Sequence, residues 1–125
     1  MTPDEFRRLA LKLEGAIEGA HMGHPDFRVN GKIFATLYPD GERGMVQLKP
    51  EQQLDCIGAD SAAFAPASGA WGRNGSTTVL LTLVDEETLG EAMTLAWQNA
   101  LKAAAQAKPK RTNKPAKQSR QTRKQ

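Results

Sequence analysis

Cysteine is almost missing from this 125-residue chain: Cys56 stands alone, so no disulfide can form within it, and a reducing compartment is the expectation. Long apolar runs are missing too. None approaches the roughly 20 residues that span a bilayer, and the opening stretch MTPDEFRRLA carries no apolar signal core. A cytoplasmic protein without a membrane segment is therefore expected. The sequence also lacks a Ser–His–acid arrangement, convergent paired carboxylates, a Cys/His cluster, and a Walker or dinucleotide fingerprint, so the reading is a non-enzymatic protein with no cofactor and no metal. His21 and His24 are three apart but have no Cys, Asp or Glu cluster at companion spacing, and they read as helix-end or loop histidines. Cys56 lies beside Leu54 and Ile57 with nothing to lower its pKa, and reads as an inert buried thiol.

Acidic residues are missing from one part of the chain only. From Lys108 onward the sequence holds Lys108, Lys110, Arg111, Lys114, Lys117, Arg120, Arg123 and Lys124 and no acid. The overall charge of +3 therefore conceals a body of residues 1–107 with nine cations against all 14 acids, a net of −5. The tail also has no large apolar residue, so burial cannot repay its ordering and it is expected to be disordered. Two segments follow: an α+β domain over 1–107 and a basic tail over 108–125. The tail's charges suit polyanion binding through counterion release, and a solubilising role reads equally well.

What the body does contain is a clear hairpin. Asn30-Gly31, a dipeptide that tolerates positive φ, sits between the strand-forming runs Asp26 to Val29 and Lys32 to Leu37. A two-residue turn would pair Phe27 with Phe34 and Arg28 with Ile33, mixing apolar and charged residues on both faces. A three-residue loop with Gly31 in a bulge pairs Arg28 with Lys32 and Phe27 with Ile33, and gathers Phe27, Ile33, Ala35 and Leu37 on one face. That register is favoured. It leaves Arg28 and Lys32 together beside Phe34 on the outward face, as a phosphate contact or a solvated surface.

The remaining elements follow from periodicity and caps. Thr2-Pro3-Asp4-Glu5 is a capping box, and Phe6, Leu9, Ala10, Leu13, Ala16, Ile17 and Ala20 recur at helical spacing, which predicts a helix to about Ala20 to Met22. Met45 to Leu48 reads as a third strand, Pro50 opens a second helix ending near Gly58, and Asp60 to Phe64 can add a turn. Pro66 to Gly75 reads as loop. Within it Trp71 reads first as an anchor onto the core and second as a stacking or contact residue, and Arg73 as a possible phosphate contact. Thr77 to Val84 alternates as a strand, and Asp85 caps a last helix running to about Ala107. The sum is an antiparallel sheet of about four strands with N- and C-terminal helices packed against it.

The order of residues resembles the MmcQ/YjbR family of small bacterial proteins. The parts that carry the likeness are His21 to His24, Pro25-Asp26-Phe27-Arg28-Val29 facing Lys32-Ile33-Phe34-Ala35, Leu48-Lys49-Pro50-Glu51-Gln52, Phe64 with Pro66, Gly69-Ala70-Trp71-Gly72, and Ala96-Trp97. The resemblance covers residues 1 to about 105, not the tail, and implies a CyaY-like, double-wing α+β fold and the family's description as predicted DNA-binding proteins. Iron binding, which a frataxin-like fold also raises, would need an acidic ridge; Asp4, Glu5, Glu14 and Glu18 are too sparse and too mixed with Arg7, Arg8 and Lys12. The leading expectation is weak, sequence-independent DNA binding by Arg28 and Lys32, with Lys49 and Arg73 as secondary contacts and the tail as the main source of affinity. RNA is a further possible polyanion. The alternative is a protein-interaction or small-ligand module using the sheet face around Phe34 and Trp71.

Overall fold

The computed structural model describes residues 1–107, and the tail with its eight cations lies outside the described residues. Ten elements alternate in the order α1 (Pro3–Leu11), β1 (Ile17–His21), β2 (His24–Val29), β3 (Lys32–Leu37), β4 (Arg43–Gln47), α2 (Pro50–Ala59), β5 (Phe64–Pro66), α3 (Gly69–Arg73), β6 (Ser76–Leu80) and α4 (Glu86–Ala107). The six strands form one antiparallel sheet ordered β1-β2-β3-β4-β6-β5. The α+β class with terminal helices is as expected, with two more strands.

The first extra strand replaces the second half of the expected helix. Thr2 does cap α1, its hydroxyl accepting from the Glu5 N–H while Glu5 accepts from the Thr2 N–H. The helix then stops at Leu11, and Gly15 takes φ +78°. Ile17 to His21 turn back through Met22-Gly23, both at positive φ, and pair with β2 from Ile17↔Arg28 to His21↔His24. Sheet pairing has overridden a helical apolar period that two glycines, Gly15 and Gly19, already weakened.

The hairpin also departs from the favoured register. Asn30 (φ 51°) and Gly31 (φ 83°) form a two-residue turn, with Val29 opposite Lys32 and Arg28 opposite Ile33. The irregularity lies deeper, where the register shifts and Phe27 faces Ala35. Phe34 is the extra residue of this bulge, and it goes into the core together with Ala35, both fully buried. A bulge inside the strand, not at the loop, reconciles a tight turn with an apolar face. The last strand is shorter than expected, ending at Leu80: the Leu83 and Val84 N–H groups both donate to the Leu80 carbonyl, and Leu83 is exposed.

One sheet face is covered by α1 and α4. Phe6 of α1 meets Phe27 with ring centroids 5.9 Å apart, and Val46, Val79, Leu89, Met93 and Phe64 complete a continuous buried cluster. Asp85 caps α4 as expected, accepting from the Thr88 N–H at 2.7 Å. Among the described residues, no helix covers the other face. Cys56 is half-buried on α2, and burial pushes its thiol pKa up, with the Asp55 and Glu91 charges adding to the effect, so it is a poor nucleophile.

Candidate nucleic-acid interface

The register separates the two hairpin cations. Lys32 lies opposite Val29, whose side chain enters the core, whereas Arg28 lies opposite Ile33 on the helix-free face with Asp26 two residues away. Arg28 is also already engaged. Its Nε donates to Asp26 Oδ1 at 2.7 Å and an Nη to Oδ2 at 3.0 Å, while His21 Nδ1 meets the same Oδ2 at 2.7 Å. Asp26 is fully buried, and the Arg28 hydrogen bond, against the cost of burial and with help from His21, holds its carboxyl below the usual aspartate range. The expected pair of adjacent, outward cations does not form, because Arg28 serves as the counterion of a buried carboxylate. Gly19 opposite Asp26 leaves the room: a Cβ there would sit 3.0 Å from Asp26 Oδ1 and 3.1 Å from Arg28 Nε.

The contact surface around Phe34 and Trp71 is corrected by half. Phe34 is in the core, and Trp71 is 71% exposed, so it does not anchor its segment. That segment is pinned otherwise. Buried Gln53 of α2 donates through Nε2 to the Gly72 carbonyl (3.1 Å), the Ser76 carbonyl (3.0 Å) and Thr77 Oγ1 (3.2 Å). Gly72 packs so close to Ala67 that a Cβ would lie 1.8 Å from its carbonyl oxygen. Residues 66–75, read as loop, thus hold a short helix that presents Trp71 outward.

Three of the expected contacts do share one end of the sheet. Ala35 faces Val46, so Lys32 at the start of β3 and Lys49 just beyond β4 stand at the same end. Gln47 faces Ser76, and the Leu48 N–H donates to the Gly75 carbonyl, which brings the turn after Arg73 there as well. Lys32, Lys49 and Arg73 are all exposed. The last helix runs to this end: Asn99 Nδ2 donates to the Gln47 carbonyl (3.2 Å) and to Gln52 Oε1 (2.8 Å), with exposed Lys102 following three residues on. Ala107, where the described chain stops and the basic sequence begins, is therefore carried past the same end.

The acids collect at the opposite end. The β3–β4 turn holds Asp40 and Glu42, and the start of α4 holds Glu86 and Glu87 after the Asp85 cap. The start of α1, with Asp4 and Glu5, is tied there by the Met1 ammonium donating to the Leu81 carbonyl at 2.9 Å. Seven of the body's 14 acids thus lie away from the end that carries Lys32, Lys49 and Arg73. Glu14 and Glu51 remain near that end. A net of −5 averages over a polarised surface, which the composition alone could not reveal.

A mixed α+β fold with one helix-covered antiparallel sheet and charge sorted along its strands defines the class of protein. The YjbR family model matches residues 11–99, and the chain belongs to that family. Protein DR2400 of Deinococcus radiodurans, described by its DUF419 family domain, is a structural neighbour with TM-score 0.65 and 20% identity over 83% of this chain and 88% of that one, a likeness of fold. No match was found among curated proteins.

Proposed function

We propose that this protein is a non-enzymatic, weak and largely sequence-independent DNA-binding protein that presents the Lys32, Lys49 and Arg73 end of its sheet to phosphates. The observation that carries this reading is the convergence of those three exposed cations with the end of α4 from which the basic sequence continues, away from the acidic end. Arg28 is left out, because its guanidinium is committed to Asp26. The tail cations Lys108, Lys110, Arg111, Lys114, Lys117, Arg120, Arg123 and Lys124 supply most of the affinity, and the folded end orients the body on the duplex. Among the described residues no helix presents a row of base-reading side chains in the manner of a major-groove reader, so this reading rests on phosphate contact.

A salt series tests it. Each phosphate neutralised on duplex DNA contributes about −0.9 to the slope of log K against log salt. Truncation to 1–107 should weaken binding strongly and flatten the slope. In the full chain, Lys32→Ala with Lys49→Ala and Arg73→Ala should flatten it by up to about 2.7, while Arg28→Ala changes it little. An unchanged slope in the triple variant means that only the tail binds; no salt-dependent binding by the full chain ends the reading.

A further inference from the structure

The helix-free face of the sheet is hollowed into a groove of about 730 Å³, within the range of small-molecule sites. Its edges are the β1–β2 turn, with His21 and Met22, and the Ala65–Ser68 segment with Trp71. One corner is polar. His21 is held there by Asp26 through Nδ1, which leaves its other ring nitrogen available, and Arg43 lies over the Tyr38 ring with its guanidinium carbon 4.9 Å from the centroid. Asp40 takes Arg43 Nε at 2.7 Å, and among the described residues the two terminal guanidinium nitrogens have no hydrogen-bond partner. Along the floor Thr36, Thr78 and the Gln47 amide add donors, since Gln47 Oε1 is already occupied by the Ser76 hydroxyl at 2.8 Å. The remaining wall is apolar, formed by Met45, Pro66 and exposed Trp71.

Among the described residues no carboxylate lines this groove, although the body as a whole is acidic. Asp26 and Asp40 stand behind His21 and Arg43 as their hydrogen-bond partners and do not line the cavity. Donors and one guanidinium converge at a corner, and an apolar wall leads away from it. From this arrangement we infer that the groove binds an amphipathic organic acid, its carboxylate at the Arg43–Tyr38 corner and its apolar body along Met45 and Pro66 toward Trp71. Its polar corner, at the start of β4, lies at the opposite end of the sheet from Lys32, Lys49 and Arg73, and the inference does not rest on the DNA reading. The carboxylate gains a charge-assisted hydrogen bond in a half-enclosed site, and the apolar body removes Trp71 from water.

Three ten-carbon probes of equal length and different head group test the inference on the full chain: decanoate, decanol and decylamine, followed by the fluorescence of Trp71 and by calorimetry. Decanoate should bind at least tenfold tighter than either of the others, and Trp71→Phe should abolish most of the fluorescence response. Arg43→Gln should bring decanoate to within about threefold of decanol, and Arg43→Lys should retain most of the preference. Amide spectra of the variants check that the sheet is intact. Equal or tighter binding of decanol or decylamine, an Arg43→Gln variant that still prefers the acid, or no binding of decanoate at all would each overturn the inference. None of these results bears on the salt-dependent DNA experiment.

Discussion

Asp26 shows how one side chain can redirect a functional reading. From the sequence it is simply the first residue of a strand, yet it is fully buried and takes hydrogen bonds from Arg28 and His21, so one of the two cations flanking the hairpin turn is committed within the fold. The His21 half of the link was illegible because it depends on β1, which the apolar spacing of Ala16, Ile17 and Ala20 disguised as helix, whereas the Arg28 half joins two residues on one face of β2. Asp26→Asn should cost about 2 kcal/mol in urea unfolding at pH 7, since it removes a charged acceptor and leaves Arg28 without its partner. The pH dependence has a definite sign. The folded pKa of Asp26 lies below its unfolded value, so its contribution is fully present above that unfolded value, near 4, and is lost as pH falls through the lowered folded one. The stability gap between wild type and Asp26→Asn should therefore narrow below about pH 4, as paired urea titrations over that range would show.

At the scale of elements, the tie between α2, α3 and β6 decides where Trp71 stands. Gln53 is one buried amide serving three acceptors, and Gln53→Leu should destabilise the fold by roughly 1–3 kcal/mol and speed hydrogen exchange across residues 72–77. Gly72→Ala forces a methyl group onto the Ala67 carbonyl and should cost roughly 3 kcal/mol while shifting the Trp71 emission. Caps and strong local signals were legible: the Thr2 and Glu5 box, Asn30-Gly31 as a turn, the Pro50 start of α2 and the Asp85 cap of α4 all appear. The three-residue strand β5 and the five-residue helix α3 were not, because elements that short are set by what they pack against and not by their own periodicity. The register failed for a related reason. An extra residue in β3 buries both Phe34 and Ala35, and no alternation of apolar and polar residues announces it.

Across the whole molecule, the decisive property is the placement of charge and not its total. Sequence counting gives an acidic body and a basic tail, and that argues against any folded polyanion surface. The strand register adds what a count cannot, since it sends Asp40, Glu42, Asp85, Glu86 and Glu87 to one end and Lys32, Lys49 and Arg73 to the other. Of the four body cations expected from sequence as contacts, the primary residue Lys32 and the secondary ones Lys49 and Arg73 stand exposed at one end of the sheet, whereas Arg28, the other primary residue, is paired with Asp26. A body with such a dipole should approach DNA in one orientation. Reversing the sign at the basic end with Lys49→Glu and Arg73→Glu together should therefore lower DNA affinity in the full chain by more than tenfold at low salt, and Lys49→Glu alone should lower it more than the charge-matched Arg43→Glu change at the far end, as fluorescence anisotropy would report. The measurement that bears most directly on this claim is amide chemical-shift mapping of the full chain with random duplex DNA. Perturbations are expected at Lys32, Lys49, Arg73 and the tail, with the β3–β4 turn and the start of α4 silent; perturbations confined to the tail, or centred on the acidic end, would contradict an oriented approach.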